Sequence, residues 1–183
     1  MAKFDFKMVL EYPKLFEYNA DMGSEDAKPR TMQRELFDKG GQTIVNAYFT
    51  SDADIQKLID AGMDPAPLGH ARIADGSAEF GIGKYIKLKR GLADNIRTFT
   101  QKNGSEVEVN YGGLPKVIDL RDPENKKLWD PEEDGSIGNG SEAIVRFDLY
   151  SRGAGVRLEA VAVTTLVEYE SQEQSEYADV WDT

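Results

Sequence analysis

Two long segments of alternating apolar and polar residues, Ser141–Tyr150 and Val156–Glu168, place the strongest constraint on how this chain can fold. A five-residue connection with two glycines, Ser151–Gly155, separates them. Alternation with a period of two is the pattern of a half-buried strand, and a short glycine-containing connection joins antiparallel neighbours. The two segments therefore predict a β-hairpin within a larger sheet.

Most of the remaining chain also reads as β structure. Asn103-Gly104 stands between two alternating segments, which is the strongest short-range signal for a hairpin. In the segment around Ile86 and Leu88, these two residues point to one face while the tyrosine and lysines between them point to the other. Further predicted strands are Gln42–Thr50, Gly83–Arg90, Asn95–Thr100, Glu106–Tyr111 and Lys116–Leu120.

One short helix is predicted in this pattern. Ser51 is a suitable N-cap, the apolar residues of Asp54–Ala61 recur at helical spacing, and Gly62 ends the helix. Arg121–Ile137 is predicted to be a long polar loop. Several short strands with one helix favour a small closed or nearly closed β-barrel of the OB-fold type, with a β-sandwich as the competing architecture.

The C-terminal segment has a different composition from the rest of the chain. Its acids are interleaved with aromatic residues, and it contains no lysine or arginine. Such a segment cannot bury enough apolar surface to fold alone, so we expect a disordered acidic tail over 169–183 that follows a single domain over 1–168. The tail residues expected to dock on partners are Glu170, Glu173, Glu176, Tyr177, Asp179, Trp181 and Asp182.

Few residues of this chain are suited to catalysis or metal binding. The sequence has no cysteine, and its one histidine, His70, lies in a proline- and glycine-rich loop without a recognisable nucleophile motif. The acidic segment Asp130–Glu142 begins like a calcium-binding loop, but its closing acid arrives one residue late, which favours a solvated loop. We therefore expect no enzymatic activity and no cofactor or metal. The lack of a signal peptide or a membrane-spanning apolar segment predicts a cytoplasmic protein.

Positive charge is concentrated in one part of an otherwise acidic chain. The net charge is −11, yet the segment Lys84–Lys102 carries six basic residues and one acid. Interleaved cations and aromatic rings on strands suit single-stranded nucleic acid, because cations follow the phosphates and rings stack on unpaired bases. The predicted contact residues are Lys84, Tyr85, Lys87, Lys89, Arg90, Arg97, Phe99, Arg146, Tyr150 and Arg152.

Two other interpretations of this pattern stay open. A structural or virion-associated β protein would use its acidic surface only for solubility. A carbohydrate-binding β module would stack its aromatic rings on sugars, although neutral sugars gain little from the surrounding cations. For Phe99, burial in a core is the alternative to exposure on a binding surface, since aromatic residues of sheets are commonly buried.

Several segments, taken in order, resemble the single-stranded DNA-binding proteins of tailed phages, most nearly the replication type of short-tailed phages. The glycine-rich turn Gly138–Ser141, the strand Ala143–Tyr150, and the segments Gly155–Val161 and Leu166–Tyr169 carry the resemblance, together with the basic strand Tyr85–Lys89.

This resemblance implies an OB-fold without enzymatic activity that coats single-stranded DNA during phage replication and recombination, in the cytoplasm of the host cell. It implies DNA contacts from Lys87 and Lys89, and from Arg146 and Tyr150. It also implies that the acidic tail binds the replicative polymerase and the helicase-primase and competes with DNA, and it allows a homodimer. The ending Trp181-Asp182-Thr183 departs from the family, whose tail often ends in an aromatic residue.

Overall fold

The computed structural model describes residues 2–63 and 72–168, and this part of the chain is mainly β. The strands are β1 (Ala2–Lys14), β2 (Gln42–Phe49), β3 (Ile73–Asp75), β4 (Lys84–Gly91), β5 (Ile96–Thr100), β6 (Glu106–Asn110), β7 (Lys116–Asp119), β8 (Lys127–Leu128), β9 (Glu142–Tyr150) and β10 (Gly155–Thr165). The α-helices are α1 (Met32–Asp38), α2 (Asp52–Asp60) and α3 (Pro131–Asp134).

Eight of these strands form one sheet in the order β3-β4-β2-β1-β9-β10-β7-β8. Neighbouring strands are antiparallel, except that β7 pairs in parallel with β10. Strands β5 and β6 pair only with each other and form a separate two-stranded hairpin, called the arm below. The arm therefore leaves the main sheet after β4 and returns to it before β7.

The core lies on one face of the eight-stranded sheet. Every second residue of the central strands points into it, as Phe6, Met8 and Leu10 do in β1. Phe6 packs against the rings of Phe49 and Phe147 from neighbouring strands, with ring centroids about 6 Å apart. Leu58 of α2 is fully buried against the same cluster, so the helix covers part of the open face of the sheet.

The prediction of a mainly β fold is confirmed, and the main predicted elements are present. Strand β2 and the β9–β10 hairpin fall where the alternation placed them, and the arm turns at Asn103-Gly104 as predicted. The side chain of Ser51 accepts a hydrogen bond from the amide of Ala53 and caps α2.

The described residues fit the predicted OB-like fold, for which a closed or nearly closed barrel was expected, although the sheet is not closed into a barrel. Strands β3 and β8 are the two outer members of the order, and no ladder joins them in the described chain. The ladder is interrupted between Glu11 and Lys14 of β1 and between Leu158 and Ala160 of β10. Such irregularities bend a sheet, and here the curled sheet brings the end of β4 close to β10 without pairing them.

Helical structure is more extensive than the one predicted helix. Helix α1 is capped by Thr31, whose side chain accepts a hydrogen bond from the amide of Arg34. The predicted loop Arg121–Ile137 contains the short strand β8 and the one-turn helix α3. Strand β1 is not among the predicted strands, although its apolar residues alternate clearly.

Some predictions fall outside the described residues. His70 lies in 64–71, and the acidic tail occupies 169–183, so the structure does not describe either. The division into a domain over 1–168 and a tail over 169–183 stays a prediction. Among the described helices, none combines the length and the apolar composition that a membrane crossing requires.

A cluster of ion pairs holds the segment that follows β7. The guanidinium of Arg121 donates two hydrogen bonds to the buried carboxylate of Asp119 and one to Asp134, and it stacks over the ring of Trp129. These bonds from Arg121 lower the pKa of Asp119 to about 2. The amide of Asp130 donates to Asp134 and lowers the pKa of that carboxyl as well.

This cluster predicts a specific loss of stability in acid. Because the pKa of Asp119 is lower in the folded protein, its contribution is complete above the ordinary value of 3.8 and is lost as the pH falls towards about 2. Replacing Asp119 with Asn should lower the free energy of unfolding by about 2 kcal/mol at neutral pH and by much less near pH 2. Urea titrations of both proteins across this range measure the difference. A penalty that does not change with pH would contradict the assignment.

Candidate nucleic-acid interface

A cleft of about 700 Å³ lies between the outer face of β4 and the turn that joins β9 to β10. Strand β3 and the base of the arm complete its walls. We call it the basic cleft, because its charged lining residues are Arg72, Lys87, Lys89, Arg90 and Arg157. Among the described residues that line it, none is acidic, and Tyr85, Tyr111 and Tyr150 supply aromatic rings.

Alternation along β4 places its lysines in the basic cleft. Ile86 and Leu88 are fully buried in the core, and Lys87 and Lys89 are exposed on the opposite face. The predicted orientation of this strand is therefore confirmed. Tyr85 shares the outer face, where its ring lies 5.1 Å from that of the buried Tyr48 and is held beside the cleft.

Arg90 follows the same alternation but faces the other way from Lys89. Its Nε donates to the carbonyl of Gly113, its Nη1 to that of Leu158, and its Nη2 to those of Asn110 and Gly112, at distances of 2.9 to 3.2 Å. Four of the five N–H groups of the guanidinium are thus used by backbone carbonyls. Burial and the nearby charge of Arg157 lower the pKa of Arg90.

These bonds give Arg90 a structural role at the edge of the basic cleft. It joins the end of β4 to β10 and to the residues through which the arm returns to the body. Arg90 is one of the predicted DNA-contact residues, yet its hydrogen bonds leave one N–H group of the guanidinium for that purpose. The alternation of β4 already carried the signal, because Arg90 is in phase with Ile86 and Leu88.

Tyr150 closes the other wall of the basic cleft. Its ring lies across Gly155 so closely that a Cβ atom at that position would overlap the ring. The guanidinium of Arg157 lies over this ring and over that of Tyr111, with its Cζ 4.6 and 4.3 Å from the two ring centroids. Tyr150 is therefore held in place by a glycine and by a stacked cation.

The arm carries two of the predicted contact residues next to the basic cleft. Arg97 and Phe99 lie on one face of β5, opposite Val109 and Val107 of β6. Phe99 is 47% exposed, so the structure decides the question of its burial in favour of the surface. Its ring meets that of Tyr111 edge to face at 6.3 Å, which connects this face of the arm to the aromatic lining of the cleft.

Arg146 is placed away from the basic cleft. Its Nε and Nη2 donate to the two carboxylate oxygens of Asp5 on β1, at 2.8 and 2.9 Å. The hydrogen bond from Arg146 lowers the pKa of Asp5, and Asp5 raises that of Arg146. This bidentate pair offsets the charge of Arg146, so a contact with DNA would compete with Asp5.

The remaining predicted residues have mixed positions. Lys84 is exposed at the start of β4 but does not line the basic cleft. The side chain of Arg152 and the tail residues lie outside what the structure describes. Arg72 and Tyr111 line the cleft without having been predicted contact residues, and Arg157, which the sequence places in a basic and aromatic group of the β9–β10 hairpin, lines it as well. The sequence around Arg72 shows no pattern that predicts its position. Arg72 reaches the cleft because the three-residue strand β3, which follows it, pairs with β4.

The structure offers no metal centre in the part of the chain it describes. Over 2–63 and 72–168, histidine, cysteine and acidic side chains do not gather in groups of three or more. In the acidic segment after β8, Asp134 is instead bound to Arg121, Lys127 and the amide of Asp130.

Comparisons with known proteins find two similar solved structures at low sequence identity. No family model and no curated protein matches the chain. It is similar to the solved structure titled single-stranded DNA-binding protein from bacteriophage Enc34, at 14% identity and a TM-score of 0.46, over 98% of this chain and 89% of that one. A C-terminal truncation of that protein gives 16% identity and a TM-score of 0.45, over 92% and 87% of the two chains. At this level of identity and structural agreement, neither likeness supports a functional assignment.

The contrast between Arg90 and Lys89 predicts different effects on stability. Replacing Arg90 with Ala removes the donor from four backbone carbonyls and should lower the free energy of unfolding by about 3 kcal/mol. Replacing the exposed Lys89 with Ala should change it by less than about 0.5 kcal/mol. Equilibrium unfolding in urea measures both values. Equal effects of the two substitutions would mean that the bonds of Arg90 do not stabilise the fold.

Proposed function

We propose that this protein binds single-stranded DNA, largely independently of sequence and without enzymatic activity. The observation that carries the proposal is the basic cleft, in which five cationic side chains and three tyrosines line one surface without an acid among its described residues. The chain as a whole has a net charge of −11, so this surface is a local field of opposite sign.

The chemistry of the basic cleft suits an unpaired strand. Lys87 and Lys89 present flexible cations to phosphates, and the release of counterions drives such contacts. Tyrosine rings stack on any base, with about 1–3 kcal/mol for each stacked base, but only when the base is not paired inside a duplex. The surrounding cations would add little to the binding of a neutral sugar, so a carbohydrate ligand is disfavoured.

The arm extends the proposed surface beyond the basic cleft. Arg97 and Phe99 repeat the combination of a cation and an aromatic ring, and Tyr111 lies between this pair and the cleft. A strand leaving the cleft past Tyr111 would meet Phe99 next. Phe99 is exposed without a covering element in the described chain, as a stacking platform needs to be.

The wider role that we propose follows from the sequence resemblance to the single-stranded DNA-binding proteins of tailed phages. In this role, the protein coats single-stranded DNA during phage replication and recombination, in the cytoplasm of the host cell. Its acidic tail would dock on the replicative polymerase and the helicase-primase and compete with DNA for the basic cleft, and the protein could act as a homodimer. The opposite charges of the tail and the cleft favour this competition.

The two lysines of β4 provide a direct test. Replacing Lys87 and Lys89 together with Ala should weaken binding to oligo-dT and reduce the slope of log K against log salt by about 1.4, since each phosphate contact contributes about 0.7. Fluorescence anisotropy titrations at several salt concentrations measure both quantities. Both side chains are exposed, so the circular dichroism spectrum should be that of the parent protein.

Lys7 and Lys116 make a matched control for this test. Both are exposed lysines on strands, and neither lines the basic cleft. Replacing them together with Ala removes the same charge and should leave the salt slope unchanged. If the control lowers affinity as much as the test variant, binding depends on overall charge rather than on the cleft. If the parent protein and its tail-deleted form both fail to bind oligo-dT at low salt, the proposed function is wrong.

The acidic tail gives a second test. Deleting Glu170–Thr183 should raise the affinity for oligo-dT, because five acids of the tail are removed and no longer compete for the basic cleft. Affinity is measured by the same titration. A variant with the tail replaced by neutral glycine and serine residues of equal length separates charge from length and should match the deletion. Unchanged or weaker binding after the deletion would count against competition by the tail.

A further inference from the structure

The arm is attached to the body of the protein at a narrow base. Within the described residues its two strands pair only with each other, so no ladder with another described strand fixes its direction. At the base, the amide of Tyr111 donates to the carbonyl of Asn95, and the amide of Gly113 donates to that of Gly91. Arg90 binds the carbonyls between these points from the core side. These backbone contacts, with the hydrogen bonds that Oδ1 of Asn110 accepts from the amides of Asn95 and Gly112, fix where the arm begins.

The side chain that links the arm to the opposite wall of the cleft is Arg157 of β10. Its guanidinium lies over two rings, that of Tyr111, which follows β6 at the base of the arm, and that of Tyr150, which ends β9. Behind it is the buried carboxylate of Asp148, 3.8 Å from Nη1. A cation that lies over two rings is stabilised by cation–π attraction to each of them, and this attraction is stronger where water is excluded. Arg157 therefore joins three separate segments of the chain.

We propose that Arg157 is a positioning residue, which fastens the arm over the basic cleft so that both bind one strand as a continuous surface. That the arm and the basic cleft bind one strand together rests on the proposed function, whereas the fastening of the arm by Arg157 does not. Arg157 acts through Tyr111 and Tyr150 and does not serve as a phosphate ligand.

Burial and charge separate Arg157 from the lysines of the same cleft. The side chain of Arg157 is 15% exposed, whereas Lys87 and Lys89 are exposed. Its guanidinium lies over the two rings, and its Nη1 is 3.8 Å from the carboxylate of Asp148, which also pairs with Lys3 at 3.2 Å. A phosphate ligand needs accessible N–H groups and an uncompensated charge, which Lys87 and Lys89 supply instead.

The test replaces Arg157 with Met, which keeps an unbranched stem but removes the planar cation. Without DNA, the amides of Tyr111 and Gly113 at the base of the arm should exchange with solvent about tenfold faster, because one stacked contact no longer opposes local opening. Amides of the core strand β2, such as that of Val45, should keep their rates. Hydrogen exchange followed by NMR on the full chain measures both sets.

Replacing Tyr111 is a second route to the same measurement, and it leaves Arg157 and Asp148 together. Tyr111→Leu should increase exchange at the base of the arm as Arg157→Met does, and Tyr111→Phe, which keeps a ring for stacking, should restore the parent rates. Faster exchange throughout β2 in both Arg157→Met and Tyr111→Leu would overturn the proposal, since Arg157 would then support the whole fold. Unchanged exchange at the base of the arm would overturn it as well.

Binding to oligo-dT separates positioning from phosphate contact. Arg157→Met should lower affinity about tenfold while keeping the salt slope of the parent, whereas Lys89→Met should reduce that slope by about 0.7. A slope reduced equally by both substitutions would assign Arg157 to a phosphate and overturn its positioning role. If the parent protein does not bind oligo-dT, the proposed function fails, and hydrogen exchange still decides whether Arg157 fastens the arm.

Discussion

The arrangement of this protein depends on a half-buried arginine whose hydrogen bonds are almost fully used within the fold. Arg90 lies near the end of β4 on the core side and donates to four backbone carbonyls, of which one belongs to β10, one to the last residue of β6 and two to the segment that follows the arm. A buried charge is tolerated only when such partners are present. Where the curled sheet lacks a ladder between β4 and β10, this single side chain joins the two strands, and the basic cleft opens directly beside the junction.

Neighbouring cations around the basic cleft have different roles, since some are exposed to a ligand and others are bound within the fold. Alternation sends Lys87 and Lys89 outwards and Arg90 inwards, so adjacent residues of one strand serve ligand contact and structure respectively. Arg157 and Arg146 repeat the distinction in β10 and β9, the first lying over the rings of two tyrosines and the second paired with Asp5. The charge that a ligand can use is therefore smaller than a count of arginines and lysines suggests.

The features of this fold that depend on local sequence were predictable. The β9–β10 hairpin, the turn at Asn103-Gly104, the cap at Ser51 and the two faces of β4 were all predictable, because each depends on residues within one or two elements. Strand β1 has the same kind of pattern and could have been predicted. Helix α3 and strand β8 could not, since they are too short to show a period and are held by the long-range contacts of Arg121.

By itself, the sequence determined the mainly β fold, the segregation of positive charge within an acidic chain, and the outward row of Tyr85, Lys87 and Lys89. Period-two alternation and charge are local properties, so they can be read directly from the chain. Only the tertiary structure decided that the sheet stays open, that Arg72, Tyr111 and Arg157 join that row, and that Arg146 is bound to Asp5. These outcomes depend on which distant strands become neighbours, because pairing across the sheet brings together residues that are far apart in sequence.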